Sequence, residues 1–243
     1  MKLFTAISME IKGLRIYRMQ LFISLILIPF SYAFVVLLSS PKSGEGIGFI
    51  FSGMIVASLV GSYISLLSMR VSNIMKPSVL ELYAALPVNT GCVVVAQMIV
   101  YTLFVLPQLI LCAAIAAFNS ETIMAGRFIF GIILSIYGVA VLGASIGALI
   151  RNPFKAQGII SLISWILLLV SPTYYSTTDL GIIYKVILLV NPVTHFLNIV
   201  RSGLGYSGLT SYVNSLIYVL IMSVLLTNYL RIKVQRMFML EKF

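Results

Sequence analysis

Long apolar runs alternate with short polar breaks along the whole chain. Runs near the roughly 20 residues that carry a helix across about 30 Å of hydrocarbon fall at 19–39, 47–69, 92–118, 128–150, 158–174 and 212–230, which predicts six membrane spans. A further apolar run at 182–190 is too short to cross and is expected to lie at one face or dip into it. Between the second and third runs the pattern breaks over residues 76–90, KPSVLELYAALPVNT, which is polar yet helix-prone. Leu82, Ala85 and Leu86 there share one face at helical spacing, Glu81 and Tyr83 lie elsewhere, and Pro87 ends the helix at the residue before it. A short charged helix caught between two spans is expected to stand in water, where a partner could hold it as a handle.

The first 18 residues show a second kind of pattern. Leu3, Phe4, Ile7, Ile11 and Leu14 recur at helical spacing while Lys2, Glu10, Lys12 and Arg15 carry the polar side, as in a helix lying in the membrane interface. The apolar run that follows is too long for the core of a secretory signal, so the segment is expected to be retained.

Composition agrees with the pattern: 60% of residues are hydrophobic and 9% charged, and the mean hydropathy is +1.10, beyond what a water-soluble core could hide. The net charge of +10 is unevenly spread. Lys2, Lys12, Arg15, Arg18, Arg70, Lys76, Arg151, Lys155, Arg231, Lys233, Arg236 and Lys242 fall on one set of alternate flanks, and only Lys42, Arg127, Lys185 and Arg201 on the other. Basic flanks stay in the cytoplasm, so both termini and the handle are expected there. The charge is a topology signal, supplemented by attraction to anionic membrane lipid; no basic patch interleaved with exposed aromatics points to nucleic acid.

The chemistry that is missing narrows the function. All six carboxylates, Glu10, Glu45, Glu81, Glu121, Asp179 and Glu241, lie outside the expected apolar cores. Proton- or sodium-driven carriers place ionisable groups near the midplane, where they cost about 2.5–3.5 kcal/mol on insertion scales. No glycine-rich phosphate loop ending in Lys-Ser or Lys-Thr is present, so energy, if used, must come from a partner. Cys92 and Cys112 fall on one expected helix about 30 Å apart at 1.5 Å per residue, too far for a disulfide, and no cluster of ligands suggests a metal. The lone histidine, His195, reads as packed or capping. Gly53, Ala57, Gly61 and Ser65 form a four-residue stripe on the second span; Ala140, Gly143, Ala144, Gly147 and Ala148 form another on the fourth. Such stripes let backbones approach within a chain or between subunits. Pro29 and Pro107 lie inside expected spans and predict kinks.

Two segments carry a family resemblance. Val79-Leu-Glu-Leu-Tyr-Ala-Ala-Leu-Pro-Val88 resembles the Leu-Glu helix, closed by a proline, that follows the second span in permeases of type-2 ATP-binding-cassette (ABC) exporters. Asn191-Pro192-Val-Thr-His-Phe-Leu-Asn-Ile-Val-Arg201 resembles that family's Asn-Pro element and downstream arginine before the last span. The resemblance implies an all-α integral membrane protein. A single permease domain over 1–243 would comprise an interfacial N-terminal helix, six transmembrane helices, a cytoplasmic coupling helix and short outer helices before the last span. It implies two such subunits, alike or different, docked on cytoplasmic ABC ATPase subunits in the cell membrane. ATP and Mg would be bound by those partners and no cofactor by this chain, which would move its cargo outward without being an enzyme itself. Glu81, Leu82, Leu86 and Pro87 would then couple to the ATPase, with Arg151 and Phe154 in a second cytoplasmic contact. The second-span stripe, with Ser161 and Ser164 of the fifth span, would form the translocation path or subunit interface. Asn191, Pro192 and Arg201 would build the outer segment, Arg201 opposing the dipole at its helix's last turn or touching substrate. An apolar wall with scattered Ser, Thr and Tyr suits a hydrophobic or amphipathic cargo. The alternatives are an autonomous channel or secondary carrier and, third, a membrane-embedded transferase.

Overall fold

The computed structural model describes residues 2–13, 44–84, 90–120, 122–150, 153–175, 177 and 180–240, with isolated positions at Met19, Phe22, Phe30 and Phe34. The expected first span, with Pro29, lies outside this set apart from those four positions. Regular structure among the described residues is entirely helical. In chain order it comprises α1 (Lys2–Gly13), α2 (Gly44–Leu59), a π-helical stretch (Val60–Leu67), α3 (Ser68–Ile74), α4 (Pro77–Ala84), α5 (Thr90–Phe118), α6 (Ala125–Leu149), α7 (Pro153–Leu169), α8 (Ile182–Val190), α9 (Pro192–Gly203) and α10 (Tyr212–Leu240).

Among the described residues, four helices are long and apolar enough to cross a membrane, Gly46–Ile74, Gly91–Phe118, Ala125–Leu149 and Tyr212–Gln235, or five if a bent helix pair counts as one span. The expected span at 158–174 is instead the 17-residue helix α7, about 25 Å long at 1.5 Å per residue. It begins earlier because Pro153 suits a first helical turn, and stops earlier because Pro172 restricts Ser171 before it. α8 and α9 meet at 93°.

The rod formed by α2, the π stretch and α3 is the most enclosed of the four long helices. It packs against α5, α6, α7 and α9, and α6 in turn packs on α9 and α10. Close approach to α6 depends on glycine. A Cβ on Gly143 would collide with the Tyr63 carbonyl, and one on Gly147 with the Ser68 carbonyl. Where these backbones touch, Ser68 donates its hydroxyl to Gly143 O at 2.5 Å, its N–H bonds the Tyr63 carbonyl five residues back, and Tyr63 donates to Thr102 Oγ1 at 2.5 Å. The small stripe of the fourth span therefore serves packing within the chain.

The bundle has two ends. At one, α3 runs out beside the end of α6, Ser72 donating to the Ile150 carbonyl, and α4 follows directly. α1 lies there against α5. Its Ala6 and Glu10 are buried, and Glu10 Oε2 pairs with Nε and Nη2 of Arg70 at 3.2 Å each. Leu3, Phe4 and Ile11 are exposed, while one member of the expected polar side, Glu10, faces protein. At the other end, Gly48 packs beneath the carbonyls of Ala116 and Asn119, and Met124 N–H bonds the Gly203 carbonyl at 2.8 Å. Gly205 turns the chain after α9 with φ of 81°, a left-handed conformation glycine adopts without a Cβ penalty.

Candidate functional site

Two places on the bundle are candidates: the helix at one end and the α8–α9 elbow at the other. α4 spans Pro77–Ala84 and leaves Glu81 exposed. Residues 85–89 lie outside the described set, and so do the side chains of Leu82, Leu86, Pro87 and Phe154 and the whole of Arg151. Lys155 and Gln157, at the start of α7, are exposed.

The elbow is built from local capping and one long-range clamp. Asn191 is the N-cap of α9: its Oδ1 accepts from Val193 N–H at 3.0 Å while Pro192 fills the first helical position, which needs no donor. The other half of the amide donates to the Leu167 carbonyl at 2.8 Å, one of the last-turn acceptors that α7 cannot satisfy internally. His195 donates from Nε2 to the Leu189 carbonyl at 2.9 Å, faces Ser215 through Nδ1, and stacks on Tyr218 with centroids 4.0 Å apart. Asn198 donates to Thr210 O at 2.6 Å and Ser215 Oγ at 2.8 Å, tying α9 to α10.

Arg201 is 4% exposed. Its Nε donates to Ser52 Oγ at 3.2 Å, Nη1 to the Pro172 carbonyl at 2.7 Å and Nη2 to the Thr173 carbonyl at 2.7 Å, while the guanidinium lies 3.5 Å from the Phe49 ring centroid. One side chain thus binds α2, the turn after α7, and α9. A planar fork of donors suits three divergent acceptors, and the ring face adds a cation–π contribution. No carboxylate among the described residues faces it as a salt-bridge partner. Arg201 does sit in the last turn of its helix, but its contacts are this clamp.

The second-span stripe turns inward. A Cβ on Gly53 would collide with the Thr173 carbonyl, Ala57 is buried, and Ser65 donates to Ser164 Oγ at 2.8 Å with Ser164 itself buried. These residues meet neighbours of the same chain, whereas Gly61 is half-buried and Ser161 exposed. Two residues escaped the sequence reading. Gln97 and Gln108 are buried on α5 without a hydrogen-bond partner among the described residues. Eleven positions apart, they share a helix face. An amide inside a long apolar run was itself the available signal, because polar groups in a span need a reason to persist.

No curated protein matches the chain. A sequence model for the family described as ABC-2 type transporter matches residues 3–204.

Proposed function

Since the chain belongs to the ABC-2 type transporter family, as a permease subunit whose ATPase partner is a separate protein, we propose that it exports a hydrophobic or amphipathic cargo across the cell membrane. In this reading two permease copies, alike or different, stand on ABC ATPase subunits, which bind ATP and Mg and drive alternating access. The α4 end lies in the cytoplasm with both termini, and the α8–α9 elbow lies outside. The observation that carries the reading is α4, a short helix with Glu81 exposed, joined directly to the most enclosed rod of the bundle. Glu81, Leu82, Leu86 and Pro87 grip the ATPase, and Arg151 with Phe154 makes the second contact.

The route follows the face between copies. α7 supports this, because Ser161, Leu162, Trp165, Ile166 and Leu169 remain exposed on a helix otherwise packed on the rod, with half-buried Gly61 and Ser65 at its margin. Gly53, Ala57 and Ser164 act as the packing behind that wall. Asn191, Pro192 and Arg201 hold the outer elbow in place.

Affinity purification of the tagged chain from native membranes tests this reading. An ABC ATPase should co-purify, inverted vesicles containing the pair should accumulate an amphipathic dye only with ATP, and the permease alone should not bind ATP. Dye movement by the permease without any ATPase would favour an autonomous carrier, and accumulation by right-side-out vesicles would reverse the direction.

A further inference from the structure

Beside the Arg201 clamp lies a cavity of about 210 Å³ lined by Lys185, Thr194, Asn198, Arg201 and Ser207, among others. Its size excludes a whole drug-sized ligand, for which pockets run about 300–1,000 Å³, but admits a compact charged group. The lining includes two cations, Lys185 and Arg201. Ser52, Pro172 and Thr173 take three N–H donors of Arg201 out of the five that a guanidinium carries. Thr194 Oγ1 is the second sign. Its residue is 3% exposed and lines the cavity, and its hydroxyl has no hydrogen-bond partner among the described residues. A buried hydroxyl left unmatched costs the fold stability, so its retention points to an acceptor that arrives from elsewhere.

We propose that this cavity is an anion site taking a phosphate-type oxyanion, held by Lys185, Arg201 and the Thr194 hydroxyl. Two donors of positive charge and a hydroxyl match an acceptor-only group. Lys185 stands on α8, whose Ile182, Ile183, Val186 and Val190 are strongly exposed. A phospholipid whose chains lie along that apolar face would bring its headgroup to the cavity; a free phosphate would reach it from water. The site does not depend on the direction of transport or on the cargo.

The test uses the full-length chain in complex with its ATPase, purified in detergent and stripped of lipid. Melting is followed while phosphatidylglycerol, phosphatidylcholine or inorganic phosphate is titrated. Phosphatidylglycerol should raise the melting temperature saturably, and Lys185→Gln and Thr194→Val should each weaken that response roughly tenfold or more, as loss of a hydrogen bond to a charged group predicts. Without ligand, Thr194→Val should melt at or above wild type, because it removes an unmatched buried hydroxyl; a purely structural role for Thr194 would lower it. A saturable response to inorganic phosphate with the same dependence on Lys185 assigns the ligand to free anion, and a requirement for acyl chains assigns it to lipid. Equal responses of wild type and Lys185→Gln to every anion, no anion response in wild type, or an equal response to phosphatidylcholine that the variants do not alter, would overturn the proposal. Should Thr194→Val fail to fold, Lys185→Gln at its half-buried position decides alone.

Discussion

Replacing Arg201 by methionine removes the guanidinium while keeping an unbranched apolar side chain in the space. Three buried acceptors, Ser52 Oγ and the carbonyls of Pro172 and Thr173, lose their donor. Hydrogen bonds to a charged group contribute about 1.5–3 kcal/mol each, and bonds that share one side chain do not add fully. Ser52 is the least affected, since its hydroxyl already donates to the Phe49 carbonyl at 2.6 Å. Counting two carbonyls in full and the hydroxyl lightly gives a loss of roughly 4 kcal/mol, at the upper end for single substitutions. With about 2–4 °C per kcal/mol for a chain of this size, fluorescence-detected size-exclusion melting should fall by roughly 10 °C. Arg201→Lys should fall between wild type and Arg201→Met, because one ammonium keeps the charge but cannot span three divergent acceptors. Ser52→Ala should cost about 1.5–3 kcal/mol, the value of its one bond from the charged guanidinium. An Arg201→Met protein that melts with wild type would refute the clamp, and so would Arg201→Lys melting below Arg201→Met.

Three further outcomes are expected. Glu81→Ala with Leu86→Ala should leave expression and detergent stability near wild type but weaken ATPase recruitment or transport-linked hydrolysis, Leu86→Ala alone losing about 1–3 kcal/mol of apolar burial; unchanged ATPase affinity with normal transport would contradict the coupling role of α4. In a chain lacking Cys92 and Cys112, a cysteine at Ser120 should react with an impermeant thiol reagent on intact cells while cysteines at Ser78 and Gln157 stay silent, and the reverse labelling would invert the topology. Gly143→Val should destabilise by about 1–3 kcal/mol or more through overpacking on the Tyr63 backbone, whereas Gly126→Ala, whose Cβ meets nothing within 4 Å, should melt at or slightly above wild type.

The helices most readable in the sequence are those whose apolar run alone sets their length. α5 and α6, at Thr90–Phe118 and Ala125–Leu149, lie within three residues of the runs at 92–118 and 128–150. α7, at Pro153–Leu169, is offset from the run at 158–174 at both ends: Pro153 suits the first turn, and hydropathy continues through Ser171-Pro172 while the helix does not. The π stretch left no trace in the pattern: Val60–Leu67 is about as apolar as the helix before it, and its wider turn meets Gly143 of α6, far away in sequence. Asn191-Pro192 announced a helix start, since capping is local. Arg201 announced only its place in a last turn, because its acceptors lie 28, 29 and 149 residues away and no local spacing encodes them.

That 149-residue separation between Ser52 and Arg201 also sets an order of events during synthesis. At about 5–20 residues per second, the rod bearing Ser52 waits on the order of 10 s before its arginine is made. During that interval Ser52 is satisfied by the carbonyl of Phe49 in its own helix. The carbonyls of Pro172 and Thr173 have a shorter wait, because they precede Arg201 by only 29 and 28 residues. Insertion of the early helices therefore needs no late partner, and closing the clamp is a later step that separates a chain translated past residue 201 from one truncated before it. A nascent chain released before residue 201 would have its earlier helices but no lock, giving membrane quality control a concrete difference to detect.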